Sequence, residues 1–148
     1  MKHKIVLAVI SFFLISCQSK KEENLPIQGT WKLFSAILIE KGDTSIIDYS
    51  KKVSFIKIIN ESHFAFLNHD LNNGKDSTAS YSSGGGKYEI KGNKYIEHLE
   101  YCTDRAWEGH DFEFTLEIKN DTLIQTGFEK VVEKGIDQLN IEKYVLLK

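Results

Sequence analysis

Apolar and polar residues alternate along most of the chain after residue 28, and this period of two is typical of β-strands with one buried face. The alternation is strictest at 111–118, where apolar residues occupy every second position. In a first strand over 29–40, continuous alternation would place Trp31, Leu33 and Ile37 on one face and Leu38 on the other. Further strands are predicted over residues 53–59, 63–69, 84–91, 94–101, 122–126 and 137–147.

Short polar turns join these segments, so the pattern predicts about eight antiparallel strands. The turns fall at 41–43, 60–62, 92–93 and 119–121, and one helical turn is predicted within 129–134. An open sheet of this kind leaves unpaired backbone groups on its edge strands, and closure into a barrel is the simplest way to pair them. The expected fold class is therefore all-β, an eight-stranded antiparallel up-and-down barrel over residues 28–148. A two-sheet sandwich is the structural alternative.

The most informative segment is a hairpin whose two-residue turn is Gly92-Asn93, because these residues tolerate the positive φ that hairpin turns need. Unbroken pairing back from the turn places Gly86 opposite Leu99 and Gly84 opposite Tyr101. Three consecutive glycines at 84–86 would weaken a flat strand. They predict a sharp bend or bulge at a corner of the barrel.

The same register gathers an apolar, tyrosine-rich face around one carboxylate, Glu97. The members of this face are Tyr88, Ile90, Tyr95, Leu99 and Tyr101. A carboxylate in such surroundings must be paired, hydrogen-bonded or protonated. Two roles stay open for Glu97: it orients a polar or cationic group of a ligand, or it accepts hydrogen bonds from the tyrosines and holds the barrel together.

The first residues indicate where in the cell the protein is located. A basic segment at 1–4 and an apolar run at 5–15 are typical of a signal peptide, since the run is too short to span a bilayer. The small residue before Cys17 resembles the lipobox of bacterial lipoproteins, in which the cysteine is lipidated. The predicted organisation is a signal peptide at 1–16, a lipidated Cys17 with a polar tether to residue 27, and the barrel. A secreted soluble protein with a chance cysteine and an uncleaved anchor are the alternatives.

Composition limits the classes of binding partner and the disulfides that the protein can form. The formal charge of −2 provides no basic field for nucleic acid. If Cys17 is lipidated, Cys102 is the only other cysteine and has no partner for an intramolecular disulfide. We expect Cys102 to be a half-buried strand residue without a catalytic role.

No motif for a metal, a cofactor or catalysis emerges. His63 and His69 lie on one face of one predicted strand but roughly 20 Å apart, too far to share an ion. The glycine run lacks the Lys-Ser/Thr ending of a phosphate loop, and no Gly-x-Ser-x-Gly elbow occurs. We therefore expect no metal, no cofactor and no enzymatic activity.

Several short motifs together resemble a family, the lipocalin-like lipoproteins of Gram-negative bacteria. They are Gly29-Thr30-Trp31, Gly86-x-Tyr88, Tyr95-x-Glu97-x-x-x-Tyr101, Phe112-x-Phe114, Asp121-Thr122-Leu123 and Ile141-Glu142-x-Tyr144. The resemblance covers roughly residues 28–148, nearly the whole mature domain. It implies a calycin-type barrel open at one end, a small hydrophobic ligand and no established catalytic chemistry. The chain departs from classical lipocalins in lacking a disulfide pair.

The function expected from the sequence is the non-catalytic binding of a small, largely hydrophobic ligand by a monomer anchored through its lipid to the outer membrane. The predicted ligand-binding residues are Trp31, Tyr88, Tyr95, Glu97, Tyr101, Arg105, Trp107, Phe112 and Phe114. Arg105 is the only arginine, and it is interpreted either as a clamp for a ligand carboxylate or as a solvated loop cation. The alternative function is an envelope interaction protein, a solid barrel that docks another protein through loops 70–76 and 103–110.

Overall fold

Nine antiparallel strands form a single sheet that closes on itself in the computed structural model, which describes residues 23–148. The strands are β1 (Gly29–Glu40), β2 (Asp43–Asp48), β3 (Val53–Ile59), β4 (His63–Asp70), β5 (Tyr81–Lys91), β6 (Lys94–Cys102), β7 (His110–Lys119), β8 (Thr122–Val131) and β9 (Ile136–Leu146). Pairing of β1 with β9 closes a barrel of eight strands, β1 and β3 to β9. The predicted all-β fold and closed eight-stranded antiparallel barrel are confirmed. Two short 3₁₀ turns, Arg105–Trp107 and Val132–Lys134, lie between strands.

β2 is an addition that the sequence pattern did not predict. It pairs with the second half of β1, whereas the first half of β1 pairs with β3. Its side chains are mostly exposed, and Ile46 is 75% exposed. A strand with no buried face carries no strong alternation, so β2 left no clear signal in the sequence.

A β-bulge in β1 corrects the predicted faces of that strand. The register with β9 shifts between Leu33 and Ser35. The extra residue turns Leu38 to the face of Leu33 and turns Ile37 to the outer face, because side chains alternate with a period of two. The carbonyl of the bulged residue, Phe34, accepts a hydrogen bond from the N–H of Tyr49 at 3.0 Å.

A second bulge divides the β5–β6 hairpin. The predicted register holds from the turn at Gly92 as far as Gly86 opposite Leu99, and then shifts between Gly85 and Gly86. The bulge expected at the glycines is therefore confirmed. Because of it, Tyr101 lies opposite Gly85 rather than Gly84, faces outward and is 67% exposed.

One end of the barrel is closed by a packed core and by the segment that leads into β1. Ile27 is 2% exposed, and its carbonyl accepts a hydrogen bond from Trp31 Nε1 at 2.8 Å. The N–H of Gly92 donates to Asn24 Oδ1 at 2.9 Å, which attaches the segment to the β5–β6 turn. Packing thus begins at about residue 24, inside the stretch that the sequence assigns to the tether. The core consists of Ile27, Trp31, Leu33, Ile59, Phe64, Tyr95, Leu99, Phe112, Phe114, Leu116, Leu123, Val131 and Tyr144.

The predicted signal peptide and Cys17 lie outside the described residues. Within residues 23–148, no helix has the length and apolarity needed to span a bilayer.

Candidate ligand cavity

The end of the barrel opposite Ile27 contains a cavity of about 330 Å³. The loops after β2, β4 and β6 surround it, whereas the turns after β3, β5 and β7 lie at the closed end. The lining residues are Tyr49, Phe55, Lys57, Phe66, Ser82, Glu97, Leu99, Cys102, Asp104, Trp107, Phe112, Phe114, Gln125, Glu129, Glu142 and Tyr144. Nine of these residues are apolar or aromatic and seven are polar or charged, and a concave space of this size is typical of a small-molecule site.

Aromatic rings form the walls. Phe55 contacts Tyr49 edge-on at 5.9 Å and stacks on Phe66 at 5.6 Å between centroids. On the opposite side Trp107 lies 5.7 Å from Phe112. The period of two in β3, β4 and β7 turns these rings inward, and the 3₁₀ turn carries Trp107 over the opening.

A buried ion pair forms the floor of the cavity. Lys57 Nζ lies 2.7 Å from Glu97 Oε1 and donates a second hydrogen bond to Gln125 Oε1 at 3.1 Å. The same ammonium group lies 5.7 Å from the ring centre of Phe64 and 5.3 Å from that of Tyr144. Burial by itself lowers the pKa of Lys57, but the facing carboxylates, Glu97 first, outweigh it and hold that pKa above its usual value. Lys57 is therefore charged, and two of its three N–H donors are hydrogen-bonded inside the barrel.

A second carboxylate, Glu142, lines the cavity beside this pair. Its Oε2 accepts hydrogen bonds from Gln125 Nε2 at 3.1 Å and from the hydroxyl of Tyr144 at 2.8 Å. Burial raises the pKa of Glu142 to about 7; the charge of Glu129 adds to the rise and that of Lys57 opposes it. Glu142 thus exchanges its proton near neutral pH.

The third carboxylate inside the barrel is Glu129, held only by amides. It accepts hydrogen bonds from Gln138 Nε2 at 2.9 Å and from Asn140 Nδ2 at 2.9 Å. Among the described residues, neither Glu129 nor Glu142 has a cationic side chain within ion-pair distance. The cavity therefore has apolar walls and an excess of negative charge.

The structure brings four of the predicted site residues into the lining of the cavity, namely Glu97, Trp107, Phe112 and Phe114. Three others belong to the closed half of the barrel. Trp31 and Tyr95 are 3% and 0% exposed, and the hydroxyl of Tyr88 donates to the carbonyl of Asn60 at 2.7 Å. The hydroxyl of Tyr95 has no hydrogen-bond partner within residues 23–148.

The last two predicted site residues lie away from the cavity. Tyr101 is on the outer face because of the bulge described above. Arg105 has an 83% exposed side chain whose Nε donates to Glu108 Oε2 at 2.6 Å. The guanidinium is therefore engaged at the surface.

Sequence reasoning missed several polar residues of the lining: Lys57, Gln125, Glu129 and Glu142. A signal for them was present in the sequence. Each of these residues occupies an inward position of its strand, at the period of two, where the other inward residues are mostly apolar. In β8, for example, Gln125 and Glu129 alternate with Leu123 and Val131, which are both fully buried. Polar residues at inward positions indicate an internal network rather than an error in the strand assignment.

The remaining candidate chemistry does not converge on the cavity. Cys102 lines it, but burial raises the pKa of the thiol, which therefore stays protonated at neutral pH. His69 hydrogen-bonds through Nδ1 to the adjacent carbonyl of Asp70, away from Glu97. Across residues 23–148 there is no group of three or more histidine, cysteine or acidic side chains placed to hold a metal ion.

No family model matches the chain, and no curated protein matches its sequence at a significant level. The class is therefore defined by fold and site alone. The chain forms a closed, eight-stranded antiparallel barrel with an internal cavity at one end, which is consistent with a calycin-like fold.

Proposed function

We propose that this protein binds a small, largely apolar molecule in the cavity of its barrel and performs no chemistry on it. The observation that carries the proposal is the cavity of about 330 Å³ with aromatic walls. Burial of apolar surface against these rings would supply most of the affinity, at roughly 25 cal/mol per Å² before the cost of association. The polar floor would orient the ligand.

A binding role without catalysis is supported by the separation of the reactive groups. Glu97 is paired with Lys57, Arg105 is paired at the surface and His69 bonds to a carbonyl. The one acid–base pair of this set that lines the cavity, Glu97 with Lys57, is bonded to itself, and neither Arg105 nor His69 supplies the free partner that general acid–base chemistry would require.

We further propose that the protein is anchored to the outer membrane of the cell envelope through a lipidated Cys17. The described chain reaches the closed end of the barrel at Asn24. Residues 18–23 can span at most about 20 Å. The closed end would then lie near the membrane, and the cavity would open away from it.

The alternative, a solid barrel that docks another protein through its loops, requires a filled interior. The cavity favours the ligand-binding proposal over this alternative. Large apolar side chains on the outer face, such as Leu67 and Tyr101 with 39% and 67% exposure, are the features that favour docking.

Native mass spectrometry of protein purified from its own host tests the binding proposal directly, since a bound molecule adds its mass. Binding of an apolar fluorescent dye provides a second test. Ser82→Trp places a bulky ring in the cavity and should abolish dye binding, whereas Thr115→Trp on the exposed face of β7 should leave it unchanged. Equal dye binding by the two variants, with no co-purified mass, would contradict the proposal.

Metabolic labelling with a palmitate analogue tests the anchor. The wild-type protein should be labelled and Cys17→Ala should not. Equal labelling of the two would end the lipoprotein proposal while leaving the binding proposal intact.

A further inference from the structure

The charges inside the barrel do not balance. When all groups are ionised, Lys57 contributes one positive charge and Glu97, Glu129 and Glu142 contribute three negative charges, which leaves an excess of two. In the part of the chain that the structure describes, every hydrogen bond to Glu129 and Glu142 comes from a neutral amide or hydroxyl. These donors hold the carboxylates in place without neutralising them.

Within residues 23–148, Lys57 is the only cation that lines the cavity, and it is not available to a ligand. Lys57 is bonded to Glu97 and Gln125, with 4% of its side chain exposed. At the mouth, the cation of Lys134 is paired with Asp104 at 2.7 Å. An anionic ligand would therefore have to break a buried ion pair or enter a negative field without a counter-charge.

A further acceptor lies beside the carboxylates. Asn140 is 6% exposed, on the inward face of β9 between Gln138 and Glu142. Its Nδ2 donates to Glu129, and its Oδ1 has no hydrogen-bond partner among the described residues. A buried acceptor without a donor is costly unless a ligand or water supplies one. An ammonium group supplies three donors and no acceptor.

We infer that the ligand carries a positively charged nitrogen, an amine with an apolar body, which binds between Glu129 and Glu142. The inference rests on the proposed function, and it names the chemical class of the ligand. The apolar body packs between the rings of Phe55, Phe66 and Trp107. The faces of these rings also attract cations. The carboxylates discriminate in favour of the amine, because charge-assisted hydrogen bonds are stronger than neutral ones.

Calorimetric titration of the Cys17→Ser protein, which cannot be lipidated, with three probes of one chain length tests the inference. The probes are octylamine, octan-1-ol and octanoate, which at neutral pH are cationic, neutral and anionic. Octylamine should bind at least about tenfold more tightly than octan-1-ol, and octanoate should bind most weakly. In Glu129→Gln/Glu142→Gln the preference for the amine should disappear while octan-1-ol binding remains. Glu113→Gln, which removes a carboxylate from the exposed face of β7, should keep the preference.

Glu129→Gln alone provides the test if the double variant fails to fold, because the amide oxygen of the glutamine can still accept hydrogen bonds from Gln138 and Asn140. It should weaken octylamine binding by at least about threefold and leave octan-1-ol binding unchanged. If octan-1-ol or octanoate binds as tightly as the amine, or if the preference persists in the glutamine variants, the inference is wrong and the proposed function stands. If none of the three probes binds, the proposed function fails.

Discussion

The buried ion pair of Lys57 and Glu97 should respond unequally to the loss of its two partners, because removal of the lysine should lower stability more than removal of the carboxylate. Lys57→Met removes the only cation that the described residues place in the cavity and leaves Glu97 and Glu142 facing one another without a counter-charge. Breaking a buried pair by removing one partner typically costs about 3–5 kcal/mol. We expect the upper part of this range, because the methionine also forfeits the hydrogen bond to Gln125 and the contact with the Tyr144 ring.

Substitution of the carboxylate partner should lower the free energy of unfolding by less. In Glu97→Gln the ammonium of Lys57 keeps Gln125 and gains a neutral carbonyl, and the nearby charge of Glu142 still compensates it. The expected cost is about 1–3 kcal/mol, the range for a weakened charged hydrogen bond. In the double variant both charges are gone, so its cost should be smaller than the sum of the two single costs.

Urea denaturation at pH 7, followed by tryptophan fluorescence, measures all three free energies of unfolding. Lys87→Met, on the exposed face of β5, is the matched control and should change the free energy by less than about 0.5 kcal/mol. Equal costs for Lys57→Met and Glu97→Gln, or costs that simply add in the double variant, would refute the role assigned to the pair and to Glu142.

Three further predictions concern neighbouring features. Because the pKa of Glu142 is about 7 in the folded protein against an ordinary 4.5, the folded state binds its proton more tightly. The contribution of Glu142 to stability should therefore be complete below about pH 4.5 and fall by about 3 kcal/mol as pH rises to 8. This fall should be absent from Glu142→Gln in urea titrations. The same pH dependence in that variant would contradict the shift. Gly86→Ala would drive a Cβ into the carbonyl of His98 and should lower the free energy of unfolding by about 3 kcal/mol or more; a cost under 1 kcal/mol would refute the close approach. Since Cys102 lines the cavity, a saturating bound ligand should slow modification of its thiol; an unchanged rate would place the ligand elsewhere.

Local sequence signals were sufficient for most of the barrel. Alternation located eight strands, and the Gly92-Asn93 turn set the hairpin register as far as Gly86. The errors in the direction of side chains arose where one extra residue entered a strand, at Phe34 in β1 and before Tyr101 in β6. A bulge reverses the face of every residue beyond it, so a single unrecognised insertion moved Leu38 inward and Tyr101 outward.

The sequence by itself determined that Glu97 would be buried, because its position relative to the hairpin turn is a local matter. It did not determine the partner of Glu97, because Lys57 lies 40 positions away and meets it only across the closed barrel. The same holds for Glu129 and Glu142, whose unbalanced charges become a property of one cavity only when β8 and β9 curve around it. The local sequence determines the strands and turns, whereas closure of the sheet determines which side chains lie together in the interior.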